Sequence, residues 1–328
     1  MGPRRTRIAC RGRRYGRGAI LVTREGSGQS PPINASDSSS TVVPAPEVAS
    51  ADDRDPAGII LDDPTCDRWK PIAAAFGHAS DAGWGRRDPA VPATEWTREL
   101  RNQYEAVGVA LSDATARVVK LERQTPHRVM REIYEQFVAY GREYVSRIDT
   151  YTEPADLLVR VVISLSATLD GICGAITYGA AGARSPLVPA AAPTPNLSPA
   201  GDPNSPQVFL DGPNPVCPQW LKTVDQFFLD TEAWRTIDPN IPSTDFDDAQ
   251  RAINAAVMPV MESFATETQL LGRKSNNPIW TDLSTLSAQY RRAYVSALLT
   301  YAVADDYLQL AAGSAAGAIS GACRAAEE

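Results

Sequence analysis

The chain has 328 residues, enough for one large domain or two of ordinary size with a buried core. Its net charge is −7, and the first 24 residues contain eight arginines and no acid, so the remaining residues carry −15. This acidic body argues against a nucleic-acid-binding surface, which needs clustered lysine and arginine to neutralise phosphates. We therefore predict no nucleic-acid partner.

The N-terminal segment, residues 1–58, is predicted to be a disordered tether. Residues 25–58 are rich in Ser, Pro, Asp and Gly, and such a composition buries too little apolar surface to fold. The basic start contains only the short apolar run GAILV, and Cys10 resembles a lipoprotein cleavage site only loosely. Because such a tether commonly joins a domain to a membrane anchor, we expect the natural start to lie upstream or in another reading frame.

Two tyrosine-rich strings occur at an offset of 150 residues, YGREYVSRIDTY at 140–151 and YRRAYVSALLTY at 290–301, and seven of their twelve positions are identical. At the same offset, DPAVPATEW (88–96) matches DPNIPSTDF (238–246). Matching blocks in the same order at constant spacing indicate an internal repeat.

A third block, PTCDRW, recurs as PVCPQW at an offset of 151. We therefore predict a tandem duplication, with repeat 1 at residues 59–178 and repeat 2 at residues 213–328. The linker, residues 179–212, is rich in proline and is expected to be semi-extended.

Apart from Cys10, each repeat has one cysteine near its start and one near its end: Cys66 and Cys173 in repeat 1, Cys217 and Cys323 in repeat 2. Four cysteines allow three pairings, and only Cys66–Cys173 with Cys217–Cys323 gives both repeats the same internal bridge. We predict these two disulfides, with Cys173–Cys217 across the linker as part of a competing pairing. Disulfides in turn predict an oxidising, extracytoplasmic compartment.

Apolar residues recur at three- and four-residue steps over 104–121 and 253–271, which predicts a helix in each repeat with one apolar face. Thr94 and Thr244 follow the rigid DPxVP and DPxIP lead-ins and are predicted N-caps. The segments 157–181 and 295–322 are the most apolar, but charged residues interrupt them, so they are predicted to be core helices rather than membrane spans.

Breaks at 124–127 and 274–278 separate the first long helix of each repeat from its tyrosine-rich helix. TEPAD (152–156) ends the tyrosine-rich helix of repeat 1, whereas AVADD in repeat 2 lacks proline and predicts a weaker break. The fold class is thus predicted to be all-α: a tandem duplication of an approximately four-helix, disulfide-clipped bundle.

The tyrosines are the candidate binding residues. On an α-helix, positions 140, 144 and 151 fall within about 40° of one another, which predicts one aromatic stripe in each repeat. Packing between helices is the favoured interpretation, and a groove for a glycan or an acyl chain is the alternative. The two stripes comprise Tyr140, Tyr144, Tyr151, Tyr290, Tyr294 and Tyr301.

Four polar residues near the stripes are candidate structural residues. Arg142 and Arg292 are predicted to point to the other side of their helices. Asp156 and Asp306 are predicted to accept hydrogen bonds from an arginine or to cap the next helix rather than to act in catalysis.

No catalytic, metal-binding or cofactor-binding motif occurs in the sequence. The two histidines, His78 and His127, have no counterparts in repeat 2, and no GxSxG motif accompanies them. Cysteines a hundred residues apart do not have metal-ligand spacing, and GxxxxGK[ST] and GxGxxG motifs are missing. We therefore predict no cofactor and no metal, and lean toward a protein that is not an enzyme.

The strings PTCDRW, DPAVPATEW and TPHRVMREIYEQFVAYGREY, with the closing Cys173, resemble those of uncharacterised mycobacterial and related actinobacterial cell-envelope proteins. The resemblance covers about residues 60–328. It implies an N-terminal membrane helix, a low-complexity tether and an extracytoplasmic helical domain, and it implies no activity. The membrane helix has no evident counterpart here, which leaves the mode of anchoring open.

Together these patterns predict a non-enzymatic, extracytoplasmic helical domain that binds a protein, glycan or lipid of the cell envelope. A carrier of a lipid or other apolar ligand is the alternative, and it predicts a large apolar cavity lined by the tyrosines. An interaction module predicts an exposed apolar patch without a deep pocket. An enzyme of unrecognised type, the third alternative, predicts convergent polar groups in one cleft of one repeat.

Overall fold

The computed structural model describes residues 48–194, 196–202 and 204–328. Over these ranges the chain is all-helical, without strands, as the sequence predicts. Most of the expected tether, residues 1–47, lies outside the described residues. The α-helices are α1 (Cys66–Asp81), α2 (Arg98–Glu122), α3 (Arg128–Arg147), α4 (Glu153–Thr177), α5 (Ala180–Arg184), α6 (Cys217–Asp230), α7 (Asp248–Lys274), α8 (Pro278–Ala297) and α9 (Asp306–Ala325).

The two repeats follow the same order of elements. Helices α1–α4 belong to repeat 1, α6–α9 belong to repeat 2, and α5 lies in the linker. Short 3₁₀ turns occur at matching places between the helices, such as Trp84–Arg86 and Trp234–Thr236. The described residues thus show about four α-helices in each repeat.

Helices α2 and α7 begin later than the sequence predicts. Thr94 and Thr244 lie in 3₁₀ turns, and the N-caps are Thr97 and Asp247, whose side chains accept hydrogen bonds from backbone N–H groups of the first turn. The predicted caps are wrong because the chain makes one tight turn between the proline-rich lead-in and the helix.

The expected weaker break in repeat 2 is also wrong. Two 3₁₀ turns, Leu298–Thr300 and Val303–Asp305, separate α8 from α9. The Asp305 carboxylate accepts a hydrogen bond of 2.9 Å from the Ala302 N–H. This bond turns the chain where repeat 1 has a proline.

Each repeat carries one disulfide. Cys66–Cys173 joins the start of α1 to the last turns of α4, with a Cα–Cα distance of 5.3 Å. Cys217–Cys323 joins α6 to α9 in the same way, at 5.4 Å. This is the pairing expected from the positions of the cysteines in the two repeats.

Helices α4 and α9 pack against each other at the centre of the protein, with glycines at their closest approach. A Cβ on Gly171 would lie 2.4 Å from the backbone N of Ala311, and a Cβ on Gly321 would lie 2.9 Å from a methyl of Val161. The two contacts are equivalent at the repeat offset of 150, because Gly321 corresponds to Gly171 and Val161 corresponds to Ala311. Such reciprocity is the property of a two-fold interface.

Helix α4 is long and apolar enough to cross a membrane by length and composition alone. About 67% of its most apolar window is buried inside the bundle, where α9 and α3 cover it. The core position explains its composition.

The segments that precede α1 and α6 each make a contact with the opposite repeat. In the N-terminal arm (residues 48–64), the Ile60 N–H donates to the Tyr290 hydroxyl of repeat 2 at 3.1 Å. In the linker, the Phe209 N–H donates to Gln136 Oε1 of repeat 1 at 2.8 Å, and Gln136 Nε2 donates to the Gln207 carbonyl at 3.0 Å. Residues 48–58, expected to be disordered, instead pack on the bundle, since Ala57 is buried.

A buried ion pair joins the two repeats to the N-terminal arm and to the linker. Arg128 at the start of α3 donates from Nε to Asp282 Oδ2 on α8 at 2.8 Å. The same guanidinium donates to the backbone carbonyls of Asp53 and Asp55, each at 3.0 Å. Thr194 of the linker donates to the other carboxylate oxygen of Asp282 at 2.7 Å.

Candidate functional site

In repeat 1 the predicted tyrosine stripe is divided. Helix α3 ends before Tyr151, which follows a 3₁₀ turn and has an extended backbone. Tyr140 packs on Phe209 of the linker, with ring centroids 6.0 Å apart. Tyr144 and Tyr151 join a separate aromatic cluster, so the three rings do not form one helical face.

That aromatic cluster of repeat 1 is closed to solvent. Trp96 stacks on Tyr104 with centroids 3.9 Å apart, and Tyr104 lies 4.8 Å from Tyr151. Trp84 completes it, 6.4 Å from the ring of Tyr144. All five side chains are buried or nearly so, and they form packing rather than a groove.

An arginine occupies the centre of this cluster. The Arg87 guanidinium carbon lies 3.4 Å from the ring centroid of Trp84 and 5.8 Å from that of Tyr104, which are cation–π distances. Its Nη2 pairs with Asp156, whose second oxygen accepts a bond of 2.6 Å from Arg160. Asp156 therefore has arginine partners, as one of its predicted roles requires.

In repeat 2 the aligned positions surround a pocket of about 460 Å³. Three side chains are smaller than their counterparts at the offset of 150: Ile237 replaces Arg87, Phe246 replaces Trp96 and Asn254 replaces Tyr104. We call this cavity the repeat 2 pocket. It is lined by Trp234, Arg235, Ile237, Asp238, Pro239, Phe246, Asn254, Tyr294, Tyr301, Asp306 and Gln309.

The wall of the pocket is positioned as in repeat 1. The Tyr301 hydroxyl donates to the Pro239 carbonyl at 2.7 Å, as Tyr151 donates to Pro89 at 3.1 Å. Tyr294 lies 6.1 Å from Tyr301 in an edge-on arrangement, and burial raises the pKa of both phenols above its ordinary value. Both tyrosines are therefore neutral at physiological pH.

The carboxylate of Asp306, the counterpart of Asp156, has no hydrogen-bond or ion-pair partner among the described residues. The position that holds Arg87 in repeat 1 holds an isoleucine here. Burial raises the pKa of Asp306 above its usual value, and no cation within the described ranges offsets this cost. The predicted arginine partner or capping role of Asp306 does not occur in the structure.

A second concavity of about 650 Å³ lies between α6 and α7. Phe227 and Phe264 stack in it with centroids 4.0 Å apart. Charged and polar side chains at its edge include Lys222, Asp230 and Glu267. We call it the α6–α7 groove.

Arg291 is buried between the two concavities. Its guanidinium carbon lies 5.1 Å from the ring centroid of Phe227, which lines the α6–α7 groove. Its Nη1 donates to Gln309, which lines the repeat 2 pocket. Burial lowers the pKa of Arg291 to about 10, so the group is still charged at neutral pH.

The other two predicted polar residues have different partners. Arg142 donates to the backbone carbonyl of Asn204 and so holds the linker against α3. Arg292 donates to Gln269 at 3.1 Å and lies 3.7 Å from Glu262 on α7. Both contacts are structural.

Two glutamates are buried at the junction of α2, α3 and the linker. Among the described residues, neither carboxyl of Glu122 or Glu132 has a hydrogen-bond partner. Burial raises the pKa of Glu122 to about 8, and it raises that of Glu132 well above its ordinary value, with Asp282 as a further cause. Glu122 is therefore protonated in mildly acidic solution.

This burial predicts that stability falls as pH rises. Between the ordinary carboxyl pKa near 4.5 and the folded value of about 8, Glu122 holds a proton only when folded. Raising the pH from 5 to 8 should therefore lower the free energy of unfolding by about 3 kcal/mol from this group alone. Glu122→Gln should show a clearly smaller pH dependence in urea unfolding, and identical pH dependence in both proteins would contradict the expectation.

The described residues show no assembled catalytic group. His127 Nε2 lies 2.8 Å from the Asp62 carbonyl, and His78 is exposed on α1. Within the described ranges, no group of three or more His, Cys, Asp or Glu side chains could hold a metal ion.

Sequence reasoning identified Tyr294, Tyr301 and Asp306 but missed the rest of the pocket. The signal was present in the alignment of the repeats. Reading positions 84–104 against 234–254 shows Ile237 in place of Arg87 and the smaller Phe246 and Asn254 in place of Trp96 and Tyr104. Those changes mark where a closed core becomes a cavity.

The described residues define a helical domain with two disulfides and a cavity of about 460 Å³ in its second half. The chain belongs to the family of mycobacterial ESX-1 associated proteins, whose sequence profile matches residues 48–327. An uncharacterized protein of Mycolicibacterium smegmatis (strain MKD8) is 44% identical over 284 residues, which cover 87% of this chain and 75% of that protein. No solved structure matches. The mycobacterial part of the resemblance is confirmed, and the membrane anchor stays a prediction.

Proposed function

We propose that this protein is a non-enzymatic binding module that acts outside the cytoplasm, and that its partner is a protein of the ESX-1 secretion system. Family membership supports the association with ESX-1. The observation that carries the binding role is the repeat 2 pocket, a cavity of about 460 Å³ where the aligned region of repeat 1 is solid. Its size is within the range of ligand pockets.

The location outside the cytoplasm rests on the two disulfides. Both bridges close loops of more than a hundred residues and lie in the core of their bundles. Such structural disulfides persist in oxidising compartments and are rare in the cytoplasm.

This location predicts that the four cysteines are oxidised in mycobacterial cells. Cells treated with an alkylating reagent before lysis should yield peptides containing Cys66, Cys173, Cys217 and Cys323 without the label. The same peptides should become labelled once a reductant is added. Labelling without reduction would contradict the proposed compartment.

The alternative functions are less well supported. A carrier of an apolar ligand predicted an apolar cavity lined by the tyrosines, but those of repeat 1 are packed and the repeat 2 pocket has a carboxylate. The stacked Phe227 and Phe264 of the α6–α7 groove keep that alternative open. The pocket does gather polar groups in one repeat, as an enzyme predicts, but no nucleophile and base lie together in the described residues.

Site-specific cross-linking in mycobacterial cells tests the binding role. A photo-reactive amino acid is placed at Arg235, which lines the repeat 2 pocket, or at Gly85, its exposed counterpart in repeat 1. We expect a protein adduct from position 235 and none from position 85. The adduct should disappear in cells without ESX-1.

Three results would overturn the proposal: no adduct at 235, equal adducts at both positions, or an adduct that persists unchanged without ESX-1. The matched position controls for random surface contacts because both residues follow the tryptophan of the same 3₁₀ turn.

A further inference from the structure

We propose that the repeat 2 pocket binds a guanidinium group, presented by an arginine side chain of a protein partner. The group would take the place that Arg87 fills in repeat 1. The inference rests on the proposed function for the identity of the partner, whereas the chemistry of the pocket rests on the comparison of the two repeats.

Repeat 1 is the internal template for this site. The Arg87 guanidinium stacks on Trp84 at 3.4 Å and pairs with the carboxylate of Asp156. An aromatic face and a carboxylate together recognise a planar cation more specifically than either does alone.

Repeat 2 keeps the recognition groups and lacks the cation. Trp234, Tyr294 and Asp306 occupy the positions of Trp84, Tyr144 and Asp156, but Ile237 stands where Arg87 would be. A partly buried carboxylate without a partner is costly, and a bound cation would remove that cost. This unpartnered Asp306 is the second observation that points to a cationic ligand.

The charged groups around the pocket leave room for a cation. Arg235 lines the pocket, but its guanidinium is already engaged, because Nη2 donates to the Phe228 carbonyl at 2.8 Å. Asp238 adds a second negative charge at the pocket wall. The Arg291 guanidinium is bonded to Gln309, so the glutamine separates it from the cavity.

The lining favours arginine over lysine and over free guanidinium. A guanidinium is planar, so it stacks on an indole and donates two hydrogen bonds to one carboxylate, which an ammonium cannot match. Ile237, Pro239 and Phe246 supply an apolar wall for the methylene stem of a side chain. A free guanidinium ion has no such stem.

Titration of the full-length, oxidised protein with a capped Ala-Arg-Ala peptide tests the inference. Fluorine NMR of protein labelled with 5-fluorotryptophan gives one signal per tryptophan, and Trp234→Phe assigns the signal of the pocket. We expect the arginine peptide to shift that signal saturably. Citrulline and lysine peptides should bind at least tenfold more weakly, and guanidinium chloride should act only at far higher concentration.

Two variants and one control complete the test. Asp306→Asn should weaken binding of the arginine peptide at least tenfold. Ile237→Arg should abolish it by placing the protein's own guanidinium in the pocket, whereas the volume-matched Ile237→Leu should retain it. Unchanged signals from the other tryptophans show that each variant is folded.

Several outcomes would overturn the inference: a Trp234 signal that never moves, citrulline binding as tightly as arginine, or unchanged binding in Asp306→Asn. If guanidinium chloride shifted the Trp234 signal at the same concentration as the peptide, the ligand would not have to be an arginine side chain, and this part of the inference would be overturned. These failures would leave a cross-link at position 235 standing. Conversely, if the cross-link at position 235 is missing but the peptide still binds, the proposed ESX-1 partner is wrong and the proposed binding of a guanidinium group stands.

Discussion

Removing the disulfide of repeat 2 by changing both Cys217 and Cys323 to alanine is expected to lower the free energy of unfolding by about 4 to 5 kcal/mol. The bridge spans 106 residues, and in the chain-entropy account a loop of that length strongly restricts the unfolded chain. Alanine is the suitable replacement because Cys323 is buried among the apolar residues of α9, where serine would add an unpaired hydroxyl. Urea unfolding at equilibrium measures the change.

The bridge of repeat 1 provides the matched comparison. Changing Cys66 and Cys173 to alanine opens a loop of 107 residues, so the loss should be similar. Adding reductant to the native protein should reproduce the sum of the two changes. A loss below about 1 kcal/mol in either pair would contradict the entropic account for this fold.

Arg128→Met is expected to lower the free energy of unfolding by about 3 to 5 kcal/mol. The substitution leaves the buried carboxylate of Asp282 without its cation, and it removes the donor to the carbonyls of Asp53 and Asp55. Urea unfolding at equilibrium measures the loss, and a loss below about 1 kcal/mol would contradict a stabilising role for the pair.

A double-mutant cycle separates the ion pair from the packing. Asp282→Leu combined with Arg128→Met leaves no buried charge in this pair, so the double variant should be more stable than Arg128→Met alone. The recovery should be at least about 1 kcal/mol in urea unfolding. If the two single losses simply add, the charge of Asp282 is not what Arg128 stabilises.

Much of the helical framework could be predicted because it depends on local patterns. Apolar periodicity predicted α2 and α7, and the proline and asparagine segments predicted where α3 and α8 begin. The duplicated positions of the cysteines predicted the bridges that the structure contains. The caps at Thr94 and Thr244 failed because a 3₁₀ turn delays the helix start, and tertiary contacts rather than propensity decide such a turn.

The pocket could not be predicted from either repeat alone. The cavity forms because the smaller side chains of Ile237, Phe246 and Asn254 come together in the folded protein, although they lie on different elements. The predicted tyrosine stripe assumed that one helix continues through Tyr151. The assumption is wrong because α3 ends before that residue. The crossing of the N-terminal arm and the linker likewise depends on side chains more than 70 residues away, which no local pattern reveals.

The crossed segments have a consequence for the order in which the newly made chain folds. The Ile60 amide meets its hydroxyl partner 230 residues later, so this contact cannot form until nearly the whole protein has been synthesised. Each disulfide, in contrast, needs only its own half of the chain. Each bridge can thus form before the two halves close on each other, and the Ile60–Tyr290 contact comes only with that closure.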